Sequence, residues 1–506
     1  MKITTSAFII ALTLTYVTLL PQTQAVVPAP DGGYPGGNTA EGQNALLSLT
    51  FGIYNTGVGL HSLLSLIDGR FNTGVGAGTL LVNTADENTA TGAGALLSNA
   101  AGFQNTANGA FALFNNTTGS DNTAVGAAAL LNNTATGNTA IGSRALLNNT
   151  TGGTLGNQGI DVGPNVAVGQ QALESNTVAS ANTAVGYQAL QSFTTGPVGS
   201  EALGLCTAVG FRALANATGD GCANSAFGYQ ALVADTVGAA NTAVGFFALT
   251  RNSTGDSNTA NGSGALFSNT TGSDNTATGA DALDDNETGI ANTAIGVRAL
   301  EQNITGNFNT ALGENAGINV TTADNVICIG FNVFGANVGE SCYIGNIFGK
   351  TSAGGSQVFI NSDNKLGTIT SSKRFKEDIK PMDKTSEALF SLKPVTFRYK
   401  NKIDPAGISQ FGLVAEDVVQ VNPDLVVRDK DGKPYSVRYD QVNAMLLNEF
   451  IKEHKAFLEE RIKVQKLETA LEAVNARLKE QEAKIEKVSA QIEISKQAPK
   501  VVLSTE

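Results

Sequence analysis

The chain has 506 residues and a mass of 52.0 kDa, with 57 glycines, no tryptophan and only 15% charged residues. Residues 1–370 carry 8 Lys/Arg against 22 Asp/Glu, a net charge of −14, which excludes the clustered cations that nucleic-acid binding requires. With 42% hydrophobic residues, the chain is also too apolar for a solvated, disordered coil.

Charge and glycine are unevenly divided along the chain. Residues 371–506 hold 24 Lys/Arg and 22 Asp/Glu, yet only three of the glycines. Two regions of different composition therefore meet near residue 370. The two histidines, His61 and His454, lie far apart, so we predict no histidine-built metal centre and no cofactor.

The N-terminus has the pattern of a secretory signal peptide over residues 1–25. Lys2 is followed by an apolar stretch from Phe8 to Leu20, and small residues precede the expected cleavage after Ala25. An uncleaved anchor is the alternative, but the apolar stretch is short for one. The signal predicts a secreted or cell-surface protein, and the Pro/Gly-rich segment 26–37 that follows is typical of a linker.

A repeat of the form Asn-Thr-Ala-x-Gly, followed by Ala-Leu, fills residues 38–348. Its asparagine recurs at positions 38, 55, 72, 88, 105, 122, 138, 165, 182, 224, 241, 258, 275, 292 and 309. Cys206 takes the place of this asparagine once, and Asn325 opens a degenerate copy. Most steps are 16 or 17 residues, and the three exceptions (27, 24 and 18) fall between positions 138 and 224. A fixed period of this kind predicts a repeat architecture.

Seventeen residues suit a coil of two short strands and two turns. In one unit we expect strands at 122–127 and 128–131 and a turn at 132–137, with Ala124 and Val125 on opposite faces. Stacked coils would pair in parallel, and their identical asparagines would form a hydrogen-bonded ladder. The repeat resembles the head domains of trimeric autotransporter adhesins, which implies a left-handed parallel β-roll over 38–348 whose small core is shared by three chains.

The four cysteines allow two pairings in an exported protein. Cys206 and Cys222 lie about one repeat apart, so a disulfide between them would staple neighbouring coils. Cys328 and Cys342 are expected on opposite faces of their strands, which favours free buried thiols.

Other features of the repeats have ordinary structural explanations. A flat threonine row is a candidate surface for ice or sugar, but solvated ladder and turn groups explain it as well. Asp284, Asp285 and Glu287 form a tight acidic cluster, yet they lie at a turn position. Glycoside hydrolysis needs a carboxylate pair, and neither such a pair nor an aromatic platform for sugars is evident.

A second module follows residues 349–370, in which segments 357–360 and 366–369 are predicted connector strands. Its segments read SSKRFKEDI (371–379), KPVTFRYK (393–400), FGLVAEDV (411–418), PDLVV (423–427) and YSVRYD (435–440). Alternation in VTFRY and YSVRY predicts strands, residues 429–433 a hairpin-like turn, and residues 384–392 a short helix. The series resembles, over 371–465, the intramolecular chaperone domain of phage tailspike endosialidases and tail fibres, an autocleaving peptidase family.

That resemblance implies a serine–lysine dyad. The family opens with Ser-Asp-x-Arg-x-Lys, which carries over to Ser371, Arg374 and Lys376, with Ser372 in place of the aspartate. It implies cleavage between Thr370 and Ser371, with Ser371 as the nucleophile. A solvated basic segment is the plain alternative.

The chemistry of the dyad sets two conditions. A serine hydroxyl needs a neighbouring base, and lysine serves as one only where burial or nearby cations disfavour its charged form. Side chains five residues apart face away from each other on a helix and on a strand. The dyad therefore requires an irregular backbone, or Lys376 from a neighbouring subunit.

The C-terminal segment 464–496 has the spacing of a coiled coil. Apolar residues follow one another at alternating steps of three and four, namely Val464, Leu467, Leu471, Val474, Leu478, Ile485, Val488 and Ile492. Gln481 occupies the remaining position of the seam, and a lone amphipathic helix is the alternative.

The predicted fold is mainly β: a parallel β-roll, or solenoid, then a small α+β chaperone domain and a coiled coil. The predicted function is an exported, homotrimeric, adhesin-like fibre whose C-terminal domain directs trimerisation and cleaves itself. Its surface ligand, a glycan or a cell surface, is left open, and no nucleic acid is expected. The alternatives are a tailspike-like enzyme that degrades glycans and a passive solenoid that binds ice or polysaccharide.

Overall fold

A computed structural model of the protein describes residues 34–152, 163–194, 204–218 and 223–496. The predicted signal peptide and most of the linker lie outside these residues. The chain divides into two compact units, one ending at Lys350 and the other beginning at Thr351.

The first unit is a parallel β-solenoid of 18 three-residue strands. Strands β1–β18 are Thr39–Glu41, Thr56–Val58, Thr73–Val75, Thr89–Thr91, Thr106–Asn108, Thr123–Val125, Thr139–Ile141, Val166–Val168, Thr183–Val185, Thr207–Val209, Ser225–Phe227, Thr242–Val244, Thr259–Asn261, Thr276–Thr278, Thr293–Ile295, Thr310–Leu312, Ile327–Ile329 and Cys342–Ile344. Each strand pairs in parallel with its neighbours in sequence, so that, for example, Ala124 lies beside Ala140. The predicted parallel stacking of repeats is confirmed.

Each coil contains one strand, which corrects the prediction of two. Residues 128–131 form a turn, in which Ala128 and Leu130 have φ angles of 57° and 52°. The Leu130 amide still donates to the Ala145 carbonyl of the next coil, at 3.0 Å. Residues 128–131 therefore hydrogen-bond to the next coil in register although they are not extended. The backbone turns sharply here because a coil of 17 residues has to bring its leucine inside.

The interior is built from alanine, leucine and asparagine. Within β6, Ala124 is fully buried whereas Val125 is partly exposed, as the alternation predicted. The repeat asparagines form the predicted ladder: Asn258 Nδ2 donates to Asn241 Oδ1 at 3.2 Å and to the Gly272 carbonyl at 2.8 Å. The Oδ1 atom of Asn258 accepts the backbone N–H of Asn275 at 3.1 Å. The ladder thus satisfies buried backbone groups from coil to coil.

The last repeats depart from the predicted assignment. Val326, and not Asn325, takes the asparagine position, since its N–H donates to Asn309 Oδ1 at 2.8 Å and Ile327 pairs with Thr310. Cys328 and Cys342 do lie on opposite faces as free thiols. Only Cys328 is buried, however, because Cys342 occupies the outward face of β18.

The second unit begins with two short hairpins. Strands β19 (Phe359–Ile360) and β20 (Leu366–Gly367) are antiparallel, as are β21 (Val395–Phe397) and β22 (Gln410–Gly412). A 3₁₀ helix, Asp383–Ser391, lies between these pairs. It confirms the predicted short helix, although with tighter winding than an α-helix.

A third hairpin and two α-helices complete the unit. Helix α1 spans Ala415–Val421, strands β23 (Val426–Arg428) and β24 (Pro434–Val437) form the hairpin predicted around residues 429–433, and helix α2 spans Tyr439–Lys496. Shorter 3₁₀ turns cover Pro35–Gly37, Lys373–Phe375 and Pro423–Leu425. In the described residues, no helix is long and apolar enough to cross a membrane.

Candidate functional site

The Lys376 Nζ atom donates a hydrogen bond to Ser371 Oγ at 3.1 Å. A 3₁₀ turn, Lys373–Phe375, separates the two residues, and the Lys376 N–H closes it on the Lys373 carbonyl at 3.2 Å. Ser372 before the turn and Lys376 after it are both extended. The backbone between Ser371 and Lys376 is therefore irregular, and it lets the two side chains of one chain meet.

The site is open to solvent in the single chain. Thr370, Ser371 and Lys376 are all exposed. The Ser372 N–H reaches Thr370 Oγ1 at 3.4 Å, so the bond between Thr370 and Ser371 lies within a loosely held turn. The Arg374 guanidinium lies over the Phe375 ring, 4.8 Å from its centroid. The geometry supplies a nucleophile and an adjacent amine, whereas exclusion of water requires further covering groups.

Comparison with known families singles out this part of the chain. Residues 371–427 match the Peptidase_S74 family, described as chaperone of endosialidase. The match begins at Ser371 and spans the dyad, the 3₁₀ helix, β21, β22 and α1. No curated protein matches the chain significantly.

The protein thus combines a β-solenoid with a segment, residues 371–427, that is similar to the chaperone-of-endosialidase family. This combination fits a tail-fibre-like protein.

A polar cluster ties the long helix to this domain. Ser386, on the 3₁₀ helix, is fully buried and donates to Glu449 of α2. Asn448 Nδ2 donates to Ser386 Oγ at 2.7 Å, and Lys452 Nζ donates to Glu449 Oε1 at 2.7 Å. The hydrogen bond from Lys452, and next the one from Ser386, hold the pKa of Glu449 below its usual range. We read this cluster as a fixed connection between domain and helix.

Cys206 and the acidic cluster lie within the framework of the repeats. Cys206 is buried at its asparagine position, where its N–H donates to Asn182 Oδ1 at 3.1 Å, and Cys222 lies outside the described residues. The predicted pairing of Cys206 with Cys222 therefore stays a prediction. Among the residues that the structure describes, no group of three or more His, Cys, Asp or Glu is placed to hold a metal ion.

Asp284 is the member of the acidic cluster whose pKa is raised. Burial, and next the neighbouring carboxylates Asp285, Asp281 and Glu301, raise its pKa to about 6. Arg251 opposes this rise in pKa. Asp285 and Glu287 point to solvent, so the cluster keeps its predicted place at an outer turn.

The structure reveals a row of aromatic rings, which corrects the expectation that no aromatic platform is present. Tyr187, Phe211, Tyr229 and Phe246 come from four consecutive coils, and their neighbouring centroids are 5.1–5.3 Å apart with interplanar angles of 8–19°. In the sequence, the four rings share one position of the repeat, five residues after the repeat asparagine or the Cys206 that replaces it. It is Tyr, Phe, Tyr and Phe in these units, and alanine at 77, 93, 110 and 127.

Proposed function

We propose that the protein is a homotrimeric, adhesin-like fibre, that residues 371–465 act as its intramolecular trimerisation chaperone, and that this domain cuts the Thr370–Ser371 bond once. The observation that carries the proposal is the 3.1 Å contact between Lys376 and Ser371 at the first residues of the family match. The enzyme of this proposal is a serine peptidase that acts on its own chain.

Helix α2 supplies the argument for self-association. It has 58 residues, about 87 Å at 1.5 Å per residue, and every residue from Glu453 to Lys496 is exposed. The seam residues Leu467, Leu471 and Leu478 are thus apolar side chains in water, 68%, 60% and 52% exposed. Burying them against copies of the same helix is favourable, since each buried leucine contributes roughly 1.5–3 kcal/mol.

The seam continues toward the chaperone domain. Val442, Met445 and Glu449 face the domain's own core, whereas Phe450 and Phe457, on another side of the helix, are 68% and 58% exposed. Helix α2 therefore carries two faces, one packed on the domain of its own chain and one exposed among the described residues. Three copies of α2 packed along the second face would align three chaperone domains.

The outward strand face of the solenoid supplies a second apolar surface. The third residue of each strand points outward and is commonly Val or Ile, as in Val75, Ile141, Val244 and Ile295, each 38–42% exposed. Because the row recurs in most coils, it suits an interface between identical chains along their length. A left-handed, adhesin-head-like trimer of solenoids is the arrangement we propose.

Register is the reason that such a fibre needs a chaperone. Parallel pairing between repeats is equally good after a slip of one coil, and long-range contacts form slowly. Trimerisation at the C-terminal domain would fix the register before the solenoids associate. Cleavage afterwards would remove the guide and leave the fibre kinetically trapped.

The dyad supports the following chemistry. With Lys376 in its neutral form, Nζ takes the proton from Ser371 Oγ, and the oxygen attacks the carbonyl carbon of Thr370. The C–N bond breaks, the lysine returns the proton to the amine of Ser371, and an ester remains between Thr370 and the Ser371 side chain. Water then hydrolyses the ester, which leaves the Thr370 carboxylate and the Ser371 hydroxyl. Burial of the site at a trimer contact would favour the neutral lysine and couple cleavage to assembly.

The test is gel analysis of purified protein for the wild type, Ser371→Ala and Lys376→Met, with Lys373→Met as the matched control on the same segment. We expect the wild type and the control to be cut and the two dyad variants to stay whole. A wild type that is entirely uncut, or Ser371→Ala cut like the wild type, would refute the peptidase.

Oligomer mass is measured separately on the uncut Ser371→Ala protein. We expect a trimer by light scattering, and dissociation when Leu471 and Leu478 are both changed to Asp. A monomer before these changes would refute trimerisation.

Export is tested at the N-terminus. The first 25 residues have the signal-peptide pattern, so we expect secreted protein to begin near Val26. N-terminal sequencing of protein from the medium checks this, and protein that is retained with Met1 intact would contradict it.

A further inference from the structure

The aromatic row on the solenoid has features of a ligand-binding surface. Tyr187, Phe211, Tyr229 and Phe246 are 39–51% exposed although they stack on one another. Their centroid spacing of 5.1–5.3 Å exceeds the 3.5–4.0 Å or so of direct carbon contact, so the nearly parallel rings are offset. An offset stack leaves part of each ring face open to a further partner.

The aromatic row is confined to four coils, unlike the outward valine row, which recurs in most coils. The same repeat position is alanine at 77, 93, 110 and 127 and serine at 263. An interface between identical chains along the solenoid would need its contact residues in most coils, as the outward valine row has. The departures from the 17-residue period also fall between positions 138 and 224, beside and within this stretch. Both irregularities indicate a site added to the repeat scaffold.

A polar residue follows each of the first three rings in the sequence. The residues that follow the first three rings are Gln188, Arg212 and Gln230, all partly buried. Arg212 is the cation among these three residues, and its guanidinium carries five N–H donors.

Two more observations narrow the ligand. Tyr and Phe alternate along the row, so hydroxyl groups stand at every second ring. Residues 1–370 have a net charge of −14, which disfavours polyanions such as nucleic acid. A ligand with flat C–H faces, many hydroxyl groups and no charge meets these conditions, and it repeats along one direction as the rings do.

We propose that Tyr187, Phe211, Tyr229 and Phe246, with Arg212, bind a neutral linear glycan that lies along the stacked coils. The sugar rings pack their C–H faces on the open parts of the aromatic rings, and sugar hydroxyls accept from Arg212 and exchange hydrogen bonds with the tyrosines and glutamines. This site does not depend on the proposed cleavage or on trimerisation.

The experiment is calorimetric titration of the full chain, carrying Ser371→Ala so that it is homogeneous, with cellohexaose, laminarihexaose, maltohexaose and chitohexaose. We expect at least one of the four to bind. Phe211→Ala with Tyr229→Ala should weaken that binding about tenfold or more, since two stacking contacts are removed. The matched control is Phe331→Ala, which removes an aromatic ring at the same repeat position, 64% exposed and outside the row.

A milder pair of changes protects the test against misfolding. Tyr187→Phe with Tyr229→Phe keeps every ring and removes both hydroxyls, so it should weaken binding while the thermal unfolding of the solenoid stays unchanged. Failure of the wild type to bind any of the four sugars would overturn the proposal, as would equal binding by the Phe211→Ala, Tyr229→Ala protein. A loss of trimer mass in that variant would assign the row to an interface between chains and also overturn it.

Discussion

The two units of the chain differ in how they complete their structures. In the solenoid, each coil satisfies the backbone and asparagine groups of the coil before it, so its core grows by repetition. In the C-terminal unit, six apolar residues are buried in a small core, whereas the long face of α2 is exposed. The first unit therefore completes its core coil by coil, whereas the second leaves its longest apolar face exposed.

The two units also differ in their tolerance of added volume, and this gives the largest expected effect. Gly126 has a φ of +135°, and a methyl group there would lie 2.6 Å from the carbonyl carbon and oxygen of Gly142 in the next coil. Gly407, in the C-terminal unit, has a φ of +60° and nothing within 4 Å of the added carbon. We expect Gly126→Ala to cost more than about 5 kcal/mol or to prevent folding, and Gly407→Ala to cost only about 1 kcal/mol.

Thermal unfolding followed by circular dichroism measures both variants. Gly109 lies equally close to the backbone of Gly126 in the next coil, so Gly109→Ala should be as destabilising as Gly126→Ala. Equal and small losses for Gly126→Ala and Gly407→Ala would mean that the close approach of coils is not what holds the solenoid together.

Asparagine has different roles in the two units, and its replacement by alanine should therefore have different costs in stability. Asn258 is buried, and its loss would leave the Asn275 N–H without a partner and the Gly272 carbonyl with only the Asn269 Nδ2 donor. Asn422 caps a 3₁₀ turn in the C-terminal unit, where its side chain accepts the exposed Asp424 N–H at 3.0 Å. We expect Asn258→Ala to cost at least about 4 kcal/mol and Asn422→Ala about 1 kcal/mol in urea unfolding. A smaller cost for Asn258→Ala would mean that water replaces the hydrogen bonds made by the Asn258 side chain.

A buried carboxylate inside the ladder makes the stability of the solenoid depend on pH. Asp235 is fully buried, and it accepts from Asn224 Nδ2 and Asn252 Nδ2, both at 3.0 Å. Burial raises the pKa of Asp235 to about 7, and the nearby Asp256 adds to the rise in pKa, against the lowering effect of Asn252 and Gly238.

The raised pKa of Asp235 sets the direction in which stability changes with pH. The unfolded chain loses the Asp235 proton near its ordinary pKa of 3.8, whereas the folded chain holds it to about 7, so stability falls as the pH rises between these values. We expect Asp235→Asn to stabilise the solenoid by on the order of 3 kcal/mol at pH 8 and to have little effect below pH 4. Thermal unfolding across this pH range is the measurement. A difference that does not change with pH would show that Asp235 stays in one protonation state.

Periodicity made much of the fold predictable from sequence. The recurrence of Asn-Thr-Ala-x-Gly indicated stacked coils, inward alanines and an asparagine ladder, because each follows from the period and the alternation of a strand. The prediction of a second strand was wrong, because strand propensity does not reveal that the backbone turns at Leu130, where φ is 52°. Asn325 was assigned to the ladder by residue type, but the backbone register places Val326 there.

The candidate sites were predictable to different degrees. Ser371 and Lys376 were identified by resemblance, and the 3₁₀ turn between them brings their side chains to 3.1 Å despite the spacing of five residues. Their exposure in one chain was not predictable, because it depends on what covers them. The aromatic row was missed, since its members lie 17–24 residues apart and become neighbours only through coil stacking.

The smallest expected effect concerns the Glu449 cluster, whose pH dependence has the opposite sign to that of Asp235. Hydrogen bonds from Lys452 and Ser386 lower the pKa of Glu449, so the ionised carboxylate stabilises the C-terminal unit above its ordinary pKa of 4.5. This contribution is lost as the pH falls through the lowered value. Glu449→Gln should therefore lower the unfolding temperature of this unit at neutral pH, and the difference from the wild type should vanish in strong acid. Lys466→Gln, on the exposed part of the same helix, is the control, and an equal shift in both variants would remove the special role of the cluster.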